Sequence, residues 1–231
     1  IMGFGGGAML ASPLSVSLMN AFSDDVSVGV APTFVVLGLF YLVLMMFGAF
    51  TIRVPAEGWK PEGYVAPKVK NKLVSSNHVN VSQAMKTPQF WLLFWVLCLN
   101  VTAGIGVLGQ ASVMIQELFS EASVGKQAAI GAGAAAGFVS LLSLFNMGGR
   151  FLWSSVSDKL GRKNTYTIFF VLGSLLYFAV PSIGESGNKA LFIIGFCVII
   201  SMYGGGFAAI PAYLKDLFGT YQVGAIHGRI L

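Results

Sequence analysis

The side chain with the clearest chemical potential is Arg150, which stands between two long uncharged stretches. It lies eight residues before Asp158, a spacing of ~12 Å along an α-helix. If Asp158 marks a membrane surface, Arg150 lies inside the bilayer, where a charged residue is expensive and is a functional candidate by default. Its planar guanidinium can donate two parallel hydrogen bonds to a carboxylate. The alternative is that Arg150 extends to the lipid headgroups.

A short basic segment follows Arg150 and joins two apolar runs. Gly161 allows the backbone to turn tightly after residue 160. Lys159, Arg162 and Lys163 then stand just outside the next run, where anionic headgroups favour them. This segment therefore predicts a loop at a membrane surface.

The composition identifies lipid as the solvent of this chain. It has 231 residues, of which 55% are hydrophobic and 10% are charged, whereas a soluble domain has ~25% charged residues. The net charge of +5 therefore does not indicate nucleic-acid binding. Cys98 and Cys197 both lie in apolar runs and show neither metal-ligand spacing nor a disulfide framework. No metal site and no cofactor is predicted.

Uncharged runs long enough to cross a ~30 Å hydrocarbon core recur along the whole chain. There are six complete runs, and a seventh begins near Tyr221. The six are residues 1–23, 26–52, 87–116, 127–149, 164–184 and 190–214. Each run predicts a helix, because lipid cannot satisfy free backbone polar groups. The chain starts with Ile1 and stops inside an apolar run, so we interpret it as a fragment of a longer protein.

The distribution of basic residues predicts the orientation. Eleven Lys and Arg fall on one side of the predicted spans, and only Lys126 and Lys189 on the other. The eleven are Arg53, Lys60, Lys68, Lys70, Lys72, Lys86, Arg150, Lys159, Arg162, Lys163 and Lys215. Because cytoplasmic loops carry the excess of Lys and Arg, that side is predicted to be cytoplasmic, against anionic lipid headgroups.

Residues 54–86 form the only long polar segment. It contains Pro55, Pro61 and Pro67 and a run of lysines, as an irregular cytoplasmic linker would. We therefore predict three parts: residues 1–53 as the last two helices of one bundle, 54–86 as the linker, and 87–231 as an incomplete second bundle.

Several motifs carry a resemblance to a known family. The segment 148–164 resembles the signature loop of the major facilitator superfamily, and the linker places it where that signature repeats. Within the superfamily the chain is similar to the oxalate/formate antiporter family. The motifs are Gly3-Phe4-Gly5-Gly6-Gly7-Ala8, Gly58-Trp59-Lys60-Pro61, Thr87-Pro88-Gln89-Phe90-Trp91, Asn146-Met147-Gly148-Gly149-Arg150, Tyr203-Gly204-Gly205-Gly206-Phe207 and Val223-Gly224-Ala225-Ile226-His227-Gly228.

The resemblance implies a fold and an activity. The fold is an all-α, polytopic helical bundle, present here from about the fifth helix to the start of the eleventh. The activity is exchange of small carboxylates, oxalate/formate-like or other mono- and dicarboxylates, by alternating access between two bundles. The resemblance leaves the transported anion open. A multi-pass membrane protein acting as a monomer is expected.

The resemblance also implies roles for polar residues within the spans. Arg150 would bind the substrate, and Arg229 would meet its other carboxylate, although the family uses a lysine at that place. Tyr203 would line the site as an aromatic ring. Apart from the resemblance, Gln110 and Asn146 are candidate substrate-binding residues, which would either line a pore or only hydrogen-bond a neighbouring helix. The same choice applies to Asn100, whereas His227 is interpreted as packing.

Asp158 and Arg162, with the turn at Gly161, form a predicted gate. A carboxylate and a nearby cation can hold one conformation on the cytoplasmic side and release it as the bundles rock. The alternative is a pair of solvated loop charges worth at most ~1 kcal/mol.

The six runs contain no Asp or Glu, which separates the possible functions. Proton-coupled carriers usually need an embedded carboxylate, so this half favours anion exchange or uniport. A proton-coupled monocarboxylate transporter of the same superfamily is the alternative, and a non-transporting membrane sensor is a different class. An enzyme is not predicted, because no acid–base constellation is present.

Overall fold

A computed structural model describes residues 2–56, 58–63, 79–124 and 129–231. Within these residues every regular element is a helix, which confirms the all-α prediction. The helices are α1 (Met2–Phe22), α2 (Val30–Thr51), α3 (Val81–Ala84), α4 (Pro88–Leu118), α5 (Glu121–Val124), α6 (Ala132–Leu160), α7 (Arg162–Glu185), α8 (Lys189–Phe218) and α9 (Val223–Ile230).

Five of the described helices are long and apolar enough to cross a membrane, namely α2, α4, α6, α7 and α8. Their outer surfaces are apolar, as lipid contact requires; Phe178 on α7, for example, is 84% exposed. The first predicted span forms α1, which is not among the five.

Local signals in the sequence determine where the helices begin and end. The Thr87 hydroxyl accepts a hydrogen bond from the Phe90 amide, and Pro88 occupies the first turn of α4. Gly161 separates α6 from α7 with a φ of +85°, a conformation that favours glycine. The turn at residue 161 and a helical span beginning at residue 87 were both predicted from the sequence.

The chain forms two compact units. The first comprises residues 1–13 and 72–231, and the second residues 14–71. In the first unit α8 packs against α4, α6, α7 and α9, so it is the central helix. Fully buried side chains include Phe90 and Ile210 in one core cluster, and Phe119 and Phe192 in another.

The second unit contains the rest of α1, the turn that follows it, and α2. In that turn the Asp24 carboxylate accepts hydrogen bonds from the amides of Val26 and Ser27. Residues 64–78 of the predicted linker, including Lys68, Lys70 and Lys72, lie outside the described residues. The predicted three-part division of the chain stays a prediction.

Candidate functional site

The candidate site is positioned by a close crossing of α6 and α8. A Cβ atom at Gly149 would overlap the backbone of Ser201, and one at Gly204 would overlap the Asn146 carbonyl. Small residues let helix backbones approach this closely in lipid, where hydrophobic burial does not drive association between helices. The crossing brings residues 146–150 of α6 beside residues 204–206 of α8, three glycines that we call the glycine turn.

Arg150 is buried at this crossing, with only 4% of its surface exposed. Its Nε donates a hydrogen bond of 3.2 Å to Asn146 Oδ1, one helical turn earlier. Its Cζ lies 5.2 Å from the ring centroids of both Phe4 and Phe207. These are cation–π contacts, and they strengthen when the cation is desolvated. A side chain that extended to the headgroups would instead be exposed.

The start of α1 contributes to the surroundings of Arg150 by close backbone approach. The Ser143 hydroxyl donates a 2.8 Å hydrogen bond to the Gly5 carbonyl. A Cβ at Gly5 would stand 2.8 Å from Arg150 Nε and 3.1 Å from the Met147 backbone. Glycine at position 5 therefore leaves the space that the arginine side chain occupies.

Tyr203 and Phe207 complete the aromatic surroundings. Their rings meet edge to face with centroids 5.2 Å apart, and Tyr203 is 6% exposed. Phe4 and Phe207 were not predicted as site residues. Phe207 could have been predicted from the sequence, because it lies four residues after Tyr203 and therefore on the same face of the helix. Phe4 could not have been predicted in this way, since only the tertiary structure brings α1 to α6.

The other predicted polar residues lie in different surroundings. Gln110 lines a cavity of about 1310 Å³ between α4, α7 and α8, together with Glu117 and Tyr177. Arg150 does not line that cavity. Asn100 is buried, and its Oδ1 has no hydrogen-bond partner in the described part of the chain.

Arg229 is exposed on α9, and its Nη1 donates to the Ala225 carbonyl of the same helix at 3.3 Å. The described contacts do not bring it to Arg150. His227, predicted as packing, is half-buried. The predicted substrate roles of Arg229 and Gln110 stay predictions.

The predicted gate pair is present as an ion pair and has a further member. Arg162 Nη2 lies 2.5 Å from Asp158 Oδ1, and Arg162 Nε lies 3.2 Å from Asp216 Oδ2 on α8. Arg162 also donates to the Ser157 hydroxyl. The arginine therefore links the ends of α6, α7 and α8, whereas the sequence predicted a pair with Asp158 alone. Asp216 could have been found from its place beside Lys215, at the same predicted membrane face.

Asp158 and Asp216 differ in their burial. The Asp158 side chain is 62% exposed, whereas those of Asp216 and Arg162 are 14% and 10% exposed. Exposed ion pairs are screened by water and contribute little. The bond to Asp216 is therefore the stronger constraint on the three helix ends.

Comparison with known proteins agrees with this architecture. The family model described as Major Facilitator Superfamily matches residues 1–230. The chain is 31% identical over 219 residues to the oxalate:formate antiporter of Oxalobacter formigenes, covering 94% of this chain and 46% of that protein.

Two further relatives are more distant. The uncharacterized MFS-type transporter YhjX of Escherichia coli (strain K12) is 26% identical over 204 residues, covering 88% of this chain and 46% of that protein. Apicoplast pyruvate carrier 1 of Toxoplasma gondii is 26% identical over 279 residues, covering 99% of this chain and 48% of that protein. The chain thus spans about half the length of the curated relatives it matches.

The resemblance inferred from the motifs is confirmed by these matches. Together with five apolar helices, they make the chain part of a multi-pass integral membrane protein of a transporter family, and not an enzyme. The chain belongs to the major facilitator superfamily.

Proposed function

We propose that the protein exchanges small carboxylates across a membrane by alternating access, with Arg150 as the cation that binds the substrate. The observation that carries the proposal is the burial of Arg150 between the aromatic rings of Phe4 and Phe207. A buried arginine in an apolar helix is energetically costly, which indicates that it has a function. Binding an anionic substrate is the function that suits its charge.

The chemistry of the surroundings suits a carboxylate. The guanidinium is planar and matches two carboxylate oxygens at once. The aromatic rings and the Asn146 bond hold its plane, which reduces the entropy lost when a substrate binds. The acidic residues of the long helices, Glu117, Asp158, Glu185 and Asp216, stand near helix ends, so a substrate can supply the negative charge at bilayer depth.

The names of two relatives support the substrate class. They specify oxalate, formate and pyruvate, which are all small carboxylates. These small carboxylates are compatible with two modes of transport, namely anion exchange and proton-coupled monocarboxylate transport. An experiment has to distinguish the two.

Reconstitution of the full-length protein in liposomes tests the proposal. Vesicles loaded with unlabelled oxalate, formate or pyruvate should take up the labelled anion from outside, and Arg150→Gln should abolish uptake. Uptake that follows an imposed pH gradient without internal anion would favour the proton-coupled alternative. Properly inserted protein that moves none of these anions under either condition would support the non-transporting class instead.

The Arg162 network is expected to act as a gate. Asp216→Asn should slow exchange more than Asp158→Asn, because Asp216 is largely buried and Asp158 is mostly exposed. Both variants should slow turnover more than they weaken binding, since they lie at a helix end away from Arg150. Exchange rates and substrate dissociation constants, measured on the same preparations, check this. A large rise in the dissociation constant with unchanged turnover would contradict a gating role.

The linker, residues 54–86, is predicted to lie on the cytoplasmic side of the membrane. A single cysteine placed at Ser76, in a protein whose native cysteines are replaced, should resist an impermeant thiol reagent added to intact cells. Permeabilised cells provide the control, because the same cysteine should then be labelled. Ready labelling of intact cells would reverse the predicted orientation of every span.

A further inference from the structure

The segment of α8 that flanks the arginine is intrinsically weak as a helix. Gly204, Gly205 and Gly206 carry no side chains to pack, and glycine is unfavourable within helices. Pro211 has no N–H, so the Phe207 carbonyl lacks its intrahelical donor. Neighbouring helices must therefore determine the shape of the segment that carries Phe207.

One hydroxyl from α7 reaches this segment. Tyr166 is 3% exposed, and its hydroxyl donates a 2.7 Å hydrogen bond to the Gly206 carbonyl. The phenol ring is held in turn by Phe169, edge to face at 5.5 Å, and by Tyr213, stacked at 6.2 Å. The donor thus has a fixed position relative to the glycine turn.

The same glycine is contacted from another helix, α4. A Cβ at Gly206 would overlap the Asn100 amide oxygen, which means that this oxygen lies against the glycine α-carbon. Contacts of a Cα–H group with an oxygen are weak but favourable. Gly206 is therefore held between Asn100 on α4 and Tyr166 on α7.

We propose that Tyr166 is a positioning residue for the anion site, and that its hydroxyl fixes the Gly206 carbonyl and thereby holds Phe207 against the Arg150 guanidinium. Phe207 directly follows Gly206, and its ring lies 5.2 Å from Arg150 Cζ. The proposal rests on the proposed function, because the site that it positions is the carboxylate site.

Tyr166→Phe isolates the hydroxyl, since the ring and its stacking remain. The buried carbonyl then loses a donor, and the glycine turn relaxes. We expect the KM for the carboxylate to rise about five- to tenfold, the scale of one lost buried hydrogen bond, with turnover within about twofold of the parent. Tyr177→Phe is the matched control, because Tyr177 donates a 2.5 Å hydrogen bond to the Ala103 carbonyl on α4, outside the α8 segment.

A spectroscopic measurement tests the positioning without any substrate. 4-Fluorophenylalanine is placed at residue 207 of the full-length protein in lipid nanodiscs, and its ¹⁹F resonance is recorded. Arg150→Gln defines the resonance of a ring without its cation. Tyr166→Phe should move the resonance towards that value, and Tyr177→Phe should leave it at the parent position.

Each outcome decides the proposal. It is overturned if the Tyr166→Phe resonance coincides with the parent, if Tyr177→Phe moves it equally, or if the resonance moves while KM stays unchanged. Because the resonance is read without substrate, a parent protein that transports no carboxylate would refute the proposed function and leave the positioning test readable.

Discussion

Arg150→Gln is expected to remove substrate binding almost completely while the protein still inserts and folds. Removing one partner of a desolvated carboxylate–guanidinium pair costs ~3–5 kcal/mol, which leaves the substrate's charge without compensation. Insertion should survive, because the change takes a buried charge out of the bilayer. Glutamine also retains an amide that can hydrogen-bond Asn146.

Arg150→Lys provides the matched comparison for charge. Lysine keeps the positive charge but lacks the planar guanidinium that donates two parallel hydrogen bonds to a carboxylate. Substrate binding should therefore weaken. Phe207→Leu should weaken binding less, by ~0.5–2 kcal/mol, because it removes one of the two cation–π contacts of Arg150 and leaves the cation in place. Direct binding of labelled carboxylates to purified variants gives all three dissociation constants, and the amount of monodisperse protein after detergent extraction reports folding.

One result would contradict the proposed role of Arg150 in substrate binding. If Arg150→Gln inserts normally and exchanges anions at the parent rate, Arg150 has no role in binding. The anion site would then have to be sought on Arg229 or in parts of the protein outside this chain.

Gly149→Ala is expected to destabilise the protein strongly although it adds one methyl group. The new Cβ would overlap the backbone of Ser201, which cannot rotate away as a side chain can. Overpacking of a well-packed core typically costs ~1–3 kcal/mol. Because α6 and α8 would be forced apart, Arg150 would also lose its position relative to Phe207.

Gly148 provides a control within the same helix. A Cβ at Gly148 would meet nothing within 4 Å, and alanine is favoured over glycine in helices by roughly 0.5–1 kcal/mol. Gly148→Ala should therefore be neutral or slightly stabilising. Thermal unfolding of both variants in detergent separates them; equal midpoints would show that the close crossing does not limit stability.

Much of the architecture is readable from local features of the chain. Helices were predicted wherever uncharged runs could cross a membrane, because lipid leaves no other backbone conformation for an isolated span. The Gly161 turn followed from a backbone preference of glycine, and the apolar run that begins at residue 87 marked the start of α4. The segment 148–164 and its place relative to the linker were sufficient to suggest the superfamily.

Contacts between helices were harder to predict. Asp158 and Arg162 are four residues apart on adjoining helices, so their pairing was visible in the sequence. Asp216 joins them from 54 residues away in the chain, on another helix. Its place at the same predicted membrane face made it a candidate, but no local pattern specifies which charges at the helix ends meet.

By itself, the sequence determined the class of protein and predicted the helical spans, and 1.5 Å of rise per residue predicted the ~12 Å that separate Arg150 from Asp158 along their helix. The tertiary structure alone decided what surrounds the arginine: Phe4 from α1, Phe207 from α8, and the Tyr166 hydroxyl that holds the glycine turn. The physical reason is that in lipid the faces of a helix are nearly equal in hydrophobicity. Only the close packing of glycines such as Gly149 against a particular backbone selects which faces meet.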